Sequence, residues 1–294
     1  MSRRWPLFHR LGIGVLLLAA PAFPRAQDYA QHHPRLAFTR SDIPALQQKT
    51  SDGGPDDAAY AFIRHLVLDQ YPTSTLGELL GVTFGMNPLL NMGIVAQIDP
   101  AQADVARALG RQFTLVLADS LSADSNVFYA PVRLRALCFG YDMCMEDATE
   151  SERAYVRAEI ESYVDSLMFA FEFERWLHPP YTSNITTMIG ASLGLAAICL
   201  ADEMEPARVK AALTRADYFI ATWMHYHLDD DGSCFEGVQY GTWAMRHLPW
   251  YFEARRRYDG KDYSRIAEIR RIENWLAYEI LPEPGARVNN LNDT

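Results

Sequence analysis

The sequence predicts an all-α protein built as an (α/α) toroid of helical hairpins, and three observations lead to that class. From residue 57 onward one helical pattern follows another, with breakers at Pro72, Asn87-Pro88, Asp99-Pro100, Ser122 to Ser125, Pro179-Pro180, Glu205-Pro206 and Asp229 to Gly232. No run alternates with period 2 between hairpin turns, so no strand ladder is expected. Some helical segments are amphipathic while others, residues 184–202 above all, are apolar almost all round. That alternation predicts two layers, an inner ring and an outer one. No sequence repeat of fixed period accompanies it, and an irregular helical bundle or solenoid is the alternative.

The first 26 residues stand apart. Arg3, Arg4 and Arg10 precede the apolar run LGIGVLLLAAPAF, and small residues follow at Ala20-Pro21-Ala22 and Ala26. This is the pattern of a secretory signal peptide cut near Ala22 or Ala26. Residues 11–23 are too short to span a bilayer comfortably. The expected mature chain, residues 27–294, is then a single toroid domain, periplasmic or secreted, with no stable membrane anchor after cleavage. Removing the signal takes away four arginines and no acid. It leaves 23 basic residues against 37 acidic ones, a net charge of −14, which argues against nucleic acid as a partner.

Residues 27–40 read as an extended lead-in around Pro34 and Leu36-Ala37-Phe38. Ser41 is expected to cap a short helix from Asp42 to Lys49, followed by the loop SDGGPD. Helices are predicted near 57–70, 76–84, 88–98, 101–119, 127–145, 149–173, 184–202, 205–226, 236–258 and 262–281. Thr149-Glu150-Ser151-Glu152 opens one of them with acids in its first turn, as the helix dipole favours. Pro100 and Pro206 stand at first-turn positions. With 49% hydrophobic residues the chain can fill a large core. The four cysteines are Cys138, Cys144, Cys199 and Cys234. The first two lie six apart in one helical segment, roughly 9 Å along its axis, too far to bridge. The four match no zinc spacing and read as buried thiols.

The chemistry concentrates between His178 and His247. Asn184 opens the apolar helix, where it reads either as an N-cap or as an amide placed to hydrogen-bond an anion at a helix N-terminus. If a later helix begins near Glu236, then Glu236, Tyr240, Trp243 and His247 share one face. Carboxylate, phenol, indole and imidazole together would suit the wall of a carbohydrate cleft, although a lone Tyr240 or Trp243 is as readily core packing. Two carboxylate groups are candidates for acid/base work, Asp229-Asp230-Asp231 with Glu236, and Glu146-Asp147. Acids in a turn or before a helix are more often solvated caps. Aligning Gly232 with the glycine of an EF-hand loop puts His227 and Val238 at the first and last ligand positions, which excludes that device. The motifs GxSxG, P-loop, HExxH and CxxC are absent.

Four stretches, in this order, resemble the helical domain of heparinase II/III-like polysaccharide lyases. They are HHPRLAFTRSDIPALQQK, LCFGYDMCMEDATESERAYVRAEI, TSNITTMIGASLGLAAICL and DDDGSCFEGVQYGTWAM. The resemblance covers roughly residues 32–294. It implies an (α/α) toroid, followed in relatives by an antiparallel β-sandwich, and β-elimination at a uronic acid of an acidic polysaccharide. In that chemistry an Asn hydrogen-bonds the substrate carboxylate and a Tyr serves as base or acid; these match Asn184 and Tyr240. Glu236, Gln239, Trp243, His247 and His178 are the candidate substrate-binding residues, and no cofactor or metal is implied. Many relatives carry His after the Asn, where this chain has Ile185. The sequence closes at Thr294 before any β-rich segment, so the chain is expected to be the helical part of a longer lyase or a toroid without the sandwich. Two alternatives stay open: a glycoside hydrolase on the same toroid, using acids from Asp229 to Glu236, and an inactive carbohydrate-binding relative.

Overall fold

The computed structural model of the chain describes residues 31–75, 78–79, 87–122, 130–173, 183–263, 266 and 269–271. The signal segment, His178 and the helices expected at 76–84 and 262–281 lie wholly or largely outside the described residues. The structure is mostly helical, at 79%, with no strand among the described residues, and the class is all-α. One isolated β-bridge, Leu228 to Cys234, pinches the acidic loop.

Nine α-helices are described: α1 Ile43–Lys49, α2 Pro55–His65, α3 Pro88–Ile98, α4 Ala103–Ser122, α5 Ala130–Cys144, α6 Glu150–Phe173, α7 Asn184–Cys199, α8 Pro206–His227 and α9 Gly237–Asp259. Their starts follow local rules. Asn87 caps α3, its side chain accepting the N–H of Leu90 at 3.2 Å, with Pro88 in the first turn. Glu205 does the same for α8 through the N–H of Arg208 at 3.0 Å. Thr149 and Glu152 form a reciprocal box ahead of α6, at 2.8 Å and 3.3 Å. Two expectations are corrected. The helix expected over 57–70 ends as an α-helix at His65 and continues as a π turn, Leu66–Gln70. Ser41 is not the cap expected of it: it lies inside a 3-10 turn, Arg40–Asp42, that leads into α1 and is capped by Thr39, whose N–H at 2.8 Å and hydroxyl at 2.9 Å both go to the Asp42 carboxylate.

The helices pack in two layers. α3 lies on α4 and α5, α5 on α7, and α7 on α8 and α9, while α4 touches α6 and α6 touches α8. Thus α3, α5, α7 and α9 form one row and α4, α6 and α8 back it. The row of α3, α5 and α7 is the one without a polar face: every described residue of α7 but Ile185 is buried, and all of α5 but Arg133. A helix apolar all round needs neighbours on every side, and this packing supplies them.

Cross-contacts show that α5, α7 and α9 run in the same direction. The hydroxyl of Ser192 on α7 donates to the carbonyl of Pro131 at 2.6 Å, and the thiol of Cys199 reaches the carbonyl of Cys138 at 3.5 Å. On the other side Thr187 contacts Ala244 at 3.4 Å, and Gly194 lies against the Tyr251 ring. The N-termini of these three helices therefore share one end of the molecule. Gly194 has no room for a side chain, because a Cβ there would overlap the Tyr251 ring.

The opposite end is closed by the segment from His33 to Phe38. The fully buried Asp142 carboxylate, near the end of α5, accepts the backbone N–H of Arg35 and of Leu36, each at 3.0 Å, and the His33 ring at 2.6 Å. The other His33 nitrogen meets Glu203 in the α7–α8 loop at 3.2 Å. Glu203 also accepts Tyr141 at 2.6 Å and Arg157 at 2.9 Å. Arg257 of α9 donates to the carbonyls of Leu36 and Ala37. No helix among the described residues is long and apolar enough to cross a membrane.

Candidate functional site

The end that gathers the N-termini of α7 and α9 carries most of the residues the sequence singled out. The loop before α9 is tightly built. Gly232 donates to the carbonyl of Asp229 at 2.9 Å, and the N–H of Phe235 donates to that of His227 at 2.8 Å. The Gly237 N–H returns to Cys234 at 2.9 Å, with Gly237 at φ 78°, a conformation that favours glycine. This turn delivers Glu236 to the N-cap position of α9, one residue before the helix.

Glu236 reaches across to α7. One carboxylate oxygen accepts the backbone N–H of Asn184 at 3.0 Å, and the other accepts the Trp223 indole N–H at 3.0 Å. The His227 ring stands 3.7 Å from that second oxygen and stacks on Trp223 with centroids 6.0 Å apart. A carboxylate at a helix N-terminus meets unpaired N–H groups and the positive end of the dipole. The anion site expected at the start of α7 is thus filled by the chain's own Glu236.

The cap of α7 is likewise not Asn184 but Ser183, whose N–H is accepted by the Thr186 hydroxyl at 3.2 Å. Asn184 is the first helical residue and is 8% exposed. Both of its described hydrogen bonds run through the backbone, to Glu236 and from the Thr187 hydroxyl at 2.7 Å. The side-chain amide is therefore not spent on capping. Ile185, where relatives carry His, packs against the hydrophobic core.

Along α9 the expected face is realised, and it splits in two. Tyr240, half-buried, follows Glu236 by one turn, and Gln239 beside it is exposed. Trp243 points its indole N–H at the Met188 sulfur, 3.3 Å away, and carries the Arg246 guanidinium over its ring at 5.0 Å. The indole is thus committed to protein contacts on more than one side. His247, the last residue of the expected face, is wholly buried. Its Nδ1 accepts from Arg135 of α5, and its ring meets Trp243 edge-on at 5.5 Å. Burial, with Arg135 and then Arg246 nearby, pushes the imidazole well below its usual range. His247 is therefore neutral at pH 7 and supplies no cation to Tyr240.

Arg135 escaped the sequence reading. It sits in the run APVRLRALCFGYDMC, where the apolar pattern hides it, and a periodicity argument assigns such an arginine to the outer surface. A sharper signal was its place in a helix with too few polar residues to make an outer face.

The carboxylates proposed as acid/base pairs fall elsewhere. Asp229, Asp230 and Asp231 are exposed on the outer turn, where Asp231 accepts the Ser233 N–H at 2.9 Å. Glu146 and Asp147 lie beyond the C-terminus of α5 and are paired with Arg40 at 3.0 Å and Arg107 at 2.7 Å. Glu236 is engaged at both oxygens, by the Asn184 N–H and the Trp223 indole. Among the described residues no three His, Cys, Asp or Glu side chains gather as a metal site. The cysteines are unpaired and buried; burial pushes the Cys144 thiol up to about 12 and Cys234 up to about 11.

What this end offers is an uncommitted side-chain amide at one helix start and, on the neighbouring helix, a phenol one turn in. A phenol can carry a proton and an amide can hydrogen-bond a carboxylate. In comparisons with known proteins, no family model matches the chain and no curated protein matches it significantly.

Proposed function

We propose that this chain is the helical domain of an exported polysaccharide lyase that cleaves an acidic, uronic-acid-containing polymer by β-elimination. The two-layer packing supports an (α/α) toroid, with α3, α5, α7 and α9 in the inner ring and α4, α6 and α8 in the outer one. The observation that carries the reading is the direct bond between Glu236 and the Asn184 N–H. It ties the start of α7 to the start of α9, so that the Asn184 amide and the Tyr240 phenol belong to the same end.

In the reaction the C5–H bond breaks and its electron pair delocalises into the uronate carboxylate. As the C4–O bond breaks, that pair forms the C4–C5 double bond, the C4–O pair leaves with the oxygen, and the leaving oxygen takes a proton. The uronate charge opposes loss of the C5 proton. The Asn184 amide lowers that opposition by hydrogen-bonding the carboxylate, most strongly as negative charge builds on it. Tyr240 is the proton-transfer group. Gln239, His178 and Trp243 are assigned to substrate contacts. Glu236 acts through Asn184 as a positioning residue. A free tyrosine has a pKa of about 10, so proton abstraction at neutral pH calls for cations near the phenol. Arg246, six residues after Tyr240 and exposed on α9, is the nearest such group in sequence.

Tyr240→Phe tests the assignment. It removes one hydroxyl and keeps the packing, so the fold should survive while kcat for elimination drops by about a hundredfold or more. Full activity in that variant, on a polymer the wild type cleaves by elimination, would rule out Tyr240 as the proton carrier.

A further inference from the structure

Arg135 is a guanidinium in the wrong place for a structural residue. It is 4% exposed, on a helix buried nearly all round. No carboxylate among the described residues pairs with it. Its described hydrogen bond goes to the Nδ1 of His247, a neutral acceptor. The Arg135 Nε has no partner, and neither has the His247 Nε2. Because Nδ1 accepts, the neutral His247 ring carries its proton on Nε2. The pair therefore presents two buried N–H donors, neither with an acceptor, around one uncompensated positive charge. Buried charges are ordinarily paired, and buried donors ordinarily bonded. Burial, with Arg246 adding to it, pulls the guanidinium down to about 10, the cost of holding that charge unpaired.

We propose that Arg135 and His247 form a carboxylate-binding subsite, reached past Trp243, that takes a uronate group of the substrate. Its identity as a uronate site rests on the lyase reading above; its character as an anion site does not. A carboxylate is planar, accepts two hydrogen bonds side by side and carries the missing charge, which is what an arginine fork matches. Trp243 separates the pair from the exposed Arg246. Its N–H meets the Met188 sulfur, its ring meets His247 edge-on, and the Arg246 guanidinium lies over its face. An anion drawn in by Arg246 would displace the indole and dock on Arg135.

The test uses the purified chain and its tryptophan fluorescence, with Trp243→Phe identifying which signal belongs to Trp243. Sodium glucuronate is titrated at constant ionic strength, with glucose and sodium chloride as controls and sodium sulfate as a separate arm. The expected result is a saturable change with a dissociation constant of about 1 mM or below, absent with glucose and chloride. A stronger response to sulfate would overturn the carboxylate assignment. Arg135→Met should abolish the response and leave the unfolding temperature equal to or above that of the wild type, since it deletes an unpaired buried charge. Retained binding in that variant, or a fall of ~5 °C or more in its unfolding temperature, would make Arg135 a structural strut and sink the proposal. Arg135→Lys, which keeps the charge and loses the fork, should fold and bind at least about tenfold more weakly; equal binding would also overturn it. Glucuronate binding through Arg135 without any elimination product would keep the subsite and remove the lyase. Elimination with an unchanged KM in Arg135→Met would do the reverse.

Discussion

Replacing Asp142 with asparagine would loosen the end of the molecule opposite the candidate site. Its carboxylate is fully buried and accepts two backbone N–H groups and the His33 ring. Asparagine keeps the size but offers one oxygen where there were two, and turns an NH2 toward donors. Breaking a buried ion pair by altering one partner costs about 3–5 kcal/mol. A domain this size has only about 5–15 kcal/mol in hand, and each kcal/mol moves its unfolding temperature by roughly 2–4 °C. Asp142→Asn should therefore lower the midpoint by about 10 °C, read by circular dichroism at pH 6. The loss should also depend on pH. Burial pulls the His33 pKa down, but its hydrogen bonds to Asp142 and Glu203 outweigh burial and leave it raised above 6.5. A raised histidine contributes stability that is fully present below its unfolded pKa and is lost as pH rises through the folded value. The wild type should thus lose stability above about pH 6.5, and the gap between wild type and variant should narrow there. A variant within about 2 °C of the wild type at pH 6, or a gap that widens with pH, would refute this account of the closure.

Three further outcomes follow from the same geometry. Gly194→Ala should destabilise the chain by about 1–3 kcal/mol, measured by urea unfolding, because the Tyr251 ring cannot retreat while its hydroxyl holds Asp217 at 2.6 Å; an unchanged midpoint would show that α7 and α9 can separate. Glu236→Gln should cost about 1–3 kcal/mol, since it weakens two charge-assisted bonds, and should lower kcat without abolishing it. A complete loss of activity with unchanged stability would make Glu236 a catalytic acid rather than a positioning residue. Tyr240→Phe should keep the wild-type unfolding free energy within about 0.5 kcal/mol while losing elimination.

The helical class and most helix limits were legible because breakers and caps are local. Asn87-Pro88, Glu205-Pro206 and Thr149 to Glu152 each act within one turn, and each helix begins where they put it. The unpolarised run from Asn184 to Cys199 announced its central position, since only burial on every side suits it. The face Glu236, Tyr240, Trp243, His247 was legible as a face, because helical spacing fixes it. What lies opposite that face was not. Glu236 spending its oxygens on Asn184 and Trp223, and His247 disappearing under Arg135, are contacts between residues 52, 13 and 112 positions apart. No local pattern encodes them. The Ser41 cap failed on a smaller scale, because Thr39 and Asp42 answer one another and Ser41 only bonds to Thr39.

The most direct test of the lyase account is the ultraviolet absorbance of the product. Elimination leaves a C4–C5 double bond conjugated with the uronate carboxylate, which absorbs; hydrolysis leaves none. The chain should be incubated with a panel of uronic-acid polymers, following absorbance and new reducing ends together. The account predicts that both rise in step on at least one polymer, and that neither rises with Tyr240→Phe. New reducing ends without the chromophore would contradict it and point to hydrolysis.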